Sequence, residues 1–175
     1  MMEFSLDQSI EILERTPDIL NAYLNQISEG WLRHNEGENT WSPYDIAGHL
    51  VFGEKTDWMA RIKIILSDSE NKLFEPFDRF AQQNEDQNRP VSALIEEFRS
   101  LRNANLKELK SLNIQQSDYS RIGVHPAFGQ VTLAQLISSW VVHDLGHIAQ
   151  ISRVMAKQYK TEVGPWVEYM SILNK

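Results

Sequence analysis

Residues 132–159 read TLAQLISSWVVHDLGHIAQISRVMAKQY, and the spacing of their apolar side chains decides the fold class. On a wheel of 100° per residue with Trp140 at zero, Leu133, Leu136, Ile151 and Met155 fall within about 60° of it, so one stripe of a long helix is expected to be buried. Thr132 and Gln135 form a capping box that starts this helix, which is predicted to run to about Tyr159. His143, Asp144 and His147 lie in the same buried sector.

Working outward, three more helical segments follow from apolar spacing. One runs from about Leu6 to Glu29, with Ile10, Leu13, Leu20, Tyr23, Leu24 and Ile27 on a stripe. Pro17 must kink it or split it, with Thr16 able to cap a restart. A second opens at Ser42-Pro43-Tyr44-Asp45, where serine caps and proline fits the first helical position, and should end near Ser67. Pro90 opens a third, marked by Leu94, Phe98, Leu101, Leu106 and Leu109. Residues after Asp68, with Pro76 and the polar run Gln82 to Asn88, read as a long connection holding at most a short helix. Residues 113–131, with Gly123, Pro126 and Gly129, read as a loop. The expected fold is all-α, a four-helix bundle with long crossover connections, in one domain over residues 1–175.

His143 and His147 are one helical turn apart, so their rings can converge on one ion. A lone inward histidine is ordinarily a neutral ring satisfied by its neighbours. Two stacked imidazoles in an apolar stripe carry a desolvation penalty that a metal relieves for both. On the second helix the same wheel places His49 among Ile46, Gly53, Ala60 and Ile64, where it can supply a third ligand. Gly53 and Ala60 either leave space for a pocket or allow close helix packing. Three neutral imidazoles leave coordination positions open, as at catalytic sites. Asp144 can orient a ligand ring, accept a proton from a water at the ion, or tie two helices together. The string His143-Asp144-Leu145-Gly146-His147 does not read as a zinc-protease helix: its aspartate is a methylene short, Gly146 weakens the helix, and no third histidine follows. His34 and His125 fall in predicted loops and are expected at the surface. The tryptophans Trp41 and Trp140 flank the histidines as core residues or as pocket walls.

These residues resemble a known family. Asn35-Glu36-Gly37, Thr40-Trp41-Ser42-Pro43, Gly48-His49-Leu50 and His143 through Gln150 are similar to the corresponding motifs of the DinB/YfiT-like superfamily, over about Ile10 to Trp166. The resemblance implies a four-helix bundle, often homodimeric, with one divalent ion on His49, His143 and His147. Nickel or zinc is the first expectation, iron or manganese the alternatives. Some members transfer bacillithiol or mycothiol, and one is a mycothiol-dependent maleylpyruvate isomerase. The expected function is that of a metal-dependent enzyme acting on a small molecule. Its ion would lower the pKa of a water or of a low-molecular-weight thiol. Thiol transfer to a small electrophile leads. Metal-dependent hydrolysis with Asp144 as base, and a non-catalytic metal-binding stress-related or small-ligand-binding protein, are the alternatives.

Composition narrows the classes further. The chain has no cysteine, so metal ligands must be His, Asp or Glu, and no thiol of its own can act as nucleophile. The formal net charge is −7, with Lys and Arg scattered, which argues against nucleic acid as a partner. No apolar run reaches the 18 or so residues that a membrane span needs, and Met1 to Ile10 lacks the features of a secretion signal. A cytoplasmic protein with no membrane partner is expected.

Overall fold

The computed structural model describes residues 2–174. Its helices are α1 (Leu6–Leu24), the short α2 (Glu29–Arg33), α3 (Pro43–Thr56), α4 (Trp58–Leu66), α5 (Val91–Ser111) and α6 (Leu133–Lys157). The four-helix bundle consists of α1, the α3/α4 pair, α5 and α6. Helix α1 packs on α5 and α6, and α3 packs on the same two, so α1 and α3 face each other diagonally.

The core has two apolar clusters, one around Leu20, Leu50, Phe98 and Ile151 and one around Leu13, Trp58, Leu106 and Trp140. Between them each long helix contributes one buried polar side chain: Thr16, Glu54, Arg102 and Asp144. The order in which each chain segment visits the clusters gives its direction. Helices α1 and α6 run one way, α3 and α5 the other, an up-down-down-up arrangement. Adjacent parallel helices cannot be joined by a tight turn, so α3/α4 and α5 need the long connection 67–90.

The caps form as the sequence dictates. Ser42 Oγ accepts from Asp45 N while Asp45 accepts from Ser42 N, and Thr132 with Gln135 repeats the device on α6. Helix α1 continues through Pro17 without splitting, so Thr16 caps no restart; its hydroxyl instead bonds Asp144 Oδ2 at 2.6 Å. The helix stops at Leu24, short of the expected Glu29, where Gln26 adopts φ 63°, and α2 follows separately.

The expected single helix from Ser42 to Ser67 is divided at Asp57, whose backbone is distorted (φ −109°, ψ −72°) and whose carboxylate pairs with Arg61. Beyond the break the buried face of α4 is Trp58, Met59, Arg61, Ile62 and Ile65, and Ala60, expected to face inward, is exposed. Lys72 Nζ and Arg121 Nη2 take the last carbonyls of α4, at Ile64, Ile65, Leu66 and Ser67.

Residues 113–131 are more ordered than a loop. They contain a 3-10 turn at Gln116–Ser120 and an antiparallel hairpin of β1 (Ile122–His125) and β2 (Gly129–Thr132). Val124 also exchanges backbone bonds with Lys72 O and Phe74 N, which ties the hairpin to the connection after α4. No described helix is long and apolar enough to cross a membrane.

Candidate metal centre

His49 on α3 and His143 and His147 on α6 converge. His143 Nε2 lies 3.1 Å from His49 Nε2 and 3.1 Å from His147 Nε2, and the three donor atoms all lie within 4.8 Å of one another. A ring nitrogen carries either one proton or one lone pair, so His143 Nε2 cannot be an ordinary hydrogen-bond partner to both neighbours at once. An ion among the three satisfies all of them. Metal–nitrogen bonds of about 2.0–2.1 Å at angles between square and tetrahedral place donors roughly 2.8–3.4 Å apart, which the two short separations match. The residues therefore fit a divalent ion.

The surroundings prepare the rings for that use. His147 Nδ1–H donates to Gln150 Oε1 at 2.9 Å, which leaves Nε2 unprotonated and aimed at the cluster. Burial, reinforced by the neighbouring His147 and His143, pushes the His49 pKa down to about 3. Burial and His143 push His147 down to about 4, against the opposing pull of Gln150 and Asp144. Both rings are thus neutral, as ligands must be. Trp41 packs on His49 with centroids 4.6 Å apart and stacks near His147 at 6.1 Å, so it is a wall of the site. Trp140 belongs to the core. It stacks on Trp58 at 5.6 Å and donates its indole N–H to Glu54.

Asp144 is fully buried next to the ligand pair. Its Oδ2 accepts from Arg102 Nη1 at 2.7 Å and from Thr16 at 2.6 Å, its Oδ1 from Arg102 Nη2 at 3.1 Å, and Oδ1 is 3.9 Å from His143 Nδ1. Burial raises its pKa, but the His143 ring, the Arg102 cation and Thr16 together hold it below the ordinary carboxylate value. This geometry is that of a tie between helices at the back of the site. It gives the carboxylate no opening to the cavity.

In front of the histidines lies an open cavity of ≈ 340 Å³, within the range of small-molecule sites. Gly53, Trp58 and Phe77 line it, with Asp57, Arg61, Arg79 and His125. Gly53 therefore faces the pocket. Sequence reasoning missed the polar four. Asp57 stands two turns beyond His49 near the same stripe, a carboxylate among core positions, and that was a readable signal. His125, expected at the surface, is half-buried at the cavity because the β1–β2 hairpin carries it there; no local spacing announces such a contact. His34 is exposed as expected, with its ring against Gly30 O.

The sequence profile of the DinB superfamily matches residues 12–151. The chain belongs to the DinB superfamily. No curated protein sequence matches it significantly. Among solved structures it is similar to YfiT from Bacillus subtilis, described as a probable metal-dependent hydrolase with an unusual four-helix bundle topology. The TM-score is 0.74 at 18% identity, covering 90% of this chain and 91% of that one. At that identity the likeness establishes the shared fold.

Proposed function

We propose that this DinB superfamily member is a metal-dependent enzyme that transfers a low-molecular-weight thiol of the bacillithiol type to a small electrophile. One observation carries the reading: three Nε2 atoms converge at the floor of an open cavity, in a chain with no cysteine to serve as its own nucleophile. His49, His143 and His147 would hold the ion, nickel or zinc before iron or manganese, and the ion when bound supplies Lewis-acid activation of a water or thiol. Transfer forms an S–C bond, breaks the bond from that carbon to its leaving group and releases the thiol proton. Asp57 is the one carboxylate lining the cavity, and burial raises its pKa against the attraction of Arg61, which suits it to accept that proton. Asp144 orients the His143 helix segment and does not touch substrate.

Hydrolysis is the second reading, supported by the description of YfiT. Asp57 would then take the role of base expected of Asp144, whose oxygens are engaged by Arg102 and Thr16. A non-catalytic metal-binding protein is the reading left if neither reaction turns over. The resemblance to the family also supports a cytoplasmic homodimer. Val142 (65% exposed) and Leu145 on α6 offer exposed apolar side chains for it, and sedimentation of untagged protein measures the mass.

Elemental analysis of untagged protein, beside His49→Ala and His143→Ala, is the first test. About one equivalent in the parent and none in the variants, with helical signal retained, is expected. The loaded and metal-stripped proteins are then offered bacillithiol with monochlorobimane and, separately, an activated ester. Equal conjugation rates with and without metal would end the thiol reading, and metal-dependent ester cleavage alone would install hydrolysis in its place.

A further inference from the structure

Apart from the three histidines at its floor and Asp57, the polar side chains that line the cavity are donors: Arg61, Arg79 and His125. Arg79 reaches its rim, with its guanidinium 5.5 Å from the Trp41 ring centroid and 5.2 Å from that of Phe80, and no carboxylate among the described residues pairs with it. Arg61 lines the wall with Nε 2.7 Å from Asp57 Oδ1. His125 Nδ1 accepts the backbone N–H of Ala127 at 3.1 Å, with the N–H of Phe128, at 3.3 Å, sharing the same lone pair. A ring nitrogen that accepts is unprotonated, so the His125 proton resides on Nε2, a donor with no hydrogen-bond partner among the described residues.

The charge balance agrees. In a chain of formal charge −7, this cavity gathers two guanidiniums against the single carboxylate of Asp57, itself engaged by Arg61. Trp41, Trp58 and Phe77 supply the apolar faces. Away from the histidine floor, a neutral polar ligand would find donors and, as acceptor, only an Asp57 already engaged by Arg61. An oxyanion satisfies donors without needing acceptors, and guanidinium matches its geometry.

We infer that the substrate of this site is a small molecule with an apolar body and an oxyanion, carboxylate or phosphate, that Arg79 and His125 receive at the rim. The body lies among Trp41, Trp58 and Phe77, above the three histidines. The word substrate rests on the metal-enzyme reading given above; the anion subsite itself does not.

Calorimetric titration of untagged protein with benzoate, phenyl phosphate and the neutral benzamide tests it, on metal-loaded protein, on EDTA-stripped protein and on His143→Ala. Benzoate, phenyl phosphate or both are expected to bind all three forms, and the arm that binds identifies the oxyanion. Benzamide is expected to bind at least about tenfold more weakly. Arg79→Ala should weaken the anion by about tenfold or more, Arg79→Lys should restore part of the loss, and added salt should weaken the parent. Benzamide binding as tightly as the anions, or Arg79→Ala leaving anion affinity unchanged in stripped protein, overturns the subsite. Anion binding confined to loaded protein and indifferent to Arg79 also overturns it, since the ion alone would then be the receptor. Anion binding that depends on Arg79 in a protein that takes up no metal leaves the subsite standing and removes the enzyme reading.

Discussion

Pro17 lacks the amide N–H that would close its turn of α1, and the carbonyl left open, Leu13 O, is taken by Arg102 Nη1 at 2.8 Å. Arg102 is wholly buried and also bonds Asp144 and Glu54, leaving only its Nε without a partner. Burial opposes its charge, but the two carboxylates outweigh that and raise its pKa. Arg102→Met strands both carboxylates, and urea unfolding should show a loss of about 3–5 kcal/mol; adding Asp144→Asn should recover part of it. A second residue governs acid sensitivity. Glu36 accepts two 2.8 Å bonds from Arg153 and pairs with Lys157 at 2.9 Å, and Arg153 above all, against burial, lowers its pKa from 4.5 to about 2. A lowered carboxylate pKa stabilises the fold fully above the unfolded value and ceases to do so as pH falls through the folded one. Glu36→Gln should therefore cost about 1 kcal/mol at pH 7, and the gap from the parent should close between about pH 4.5 and pH 2. Of these residues, His143 and His147 were legible because one helical turn separates them and both fall on an apolar stripe. Arg102 was not, because a charged side chain on α5 reads as solvent-facing until its three partners, on three other helices, are known.

Elements were legible in proportion to how local their causes are. The capping pairs Ser42–Asp45 and Thr132–Gln135 span three residues each, and both helices start where those residues say. The break at Asp57 has no such local signal, and beyond it Ala60, expected inside, is exposed. The hairpin depends on still more distant partners. Each strand has four residues, too few for alternation to register, and the pair is secured by Lys72 and Phe74 from another part of the chain. Gly123 shows how close that packing is: a Cβ there would approach Phe74 Cζ to 2.3 Å and Ile65 Cγ1 to 2.8 Å. Gly123→Ala should lower the unfolding free energy by about 1–3 kcal/mol, with a change in near-ultraviolet circular dichroism as the hairpin shifts from the cavity.

For the molecule as a whole, a ligand that binds only the folded state adds stability by mass action. Nickel or zinc at about 100 times its dissociation constant should contribute about 2.7 kcal/mol, which for a chain of this size is a rise of roughly 5–10 °C in thermal midpoint. The same ion should leave His49→Ala unmoved in differential scanning calorimetry. The bundle class and its crossovers followed from apolar periodicity and loop lengths, but the up-down-down-up order did not, since it is set by which faces meet. That order governs how the chain comes together during synthesis. Helices α1 and α3 emerge first and, lying diagonally, have little surface to offer each other. Their common neighbours α5 and α6 come later, and His143 follows His49 by 94 positions. At about 5–20 residues per second, the interval between the end of α4 and the end of α6 is roughly 5–20 s. Until α6 docks, the faces of α1 and α3 that it covers have no partner to bury them. An ion held by all three histidines would therefore be captured late, once the last helix has docked.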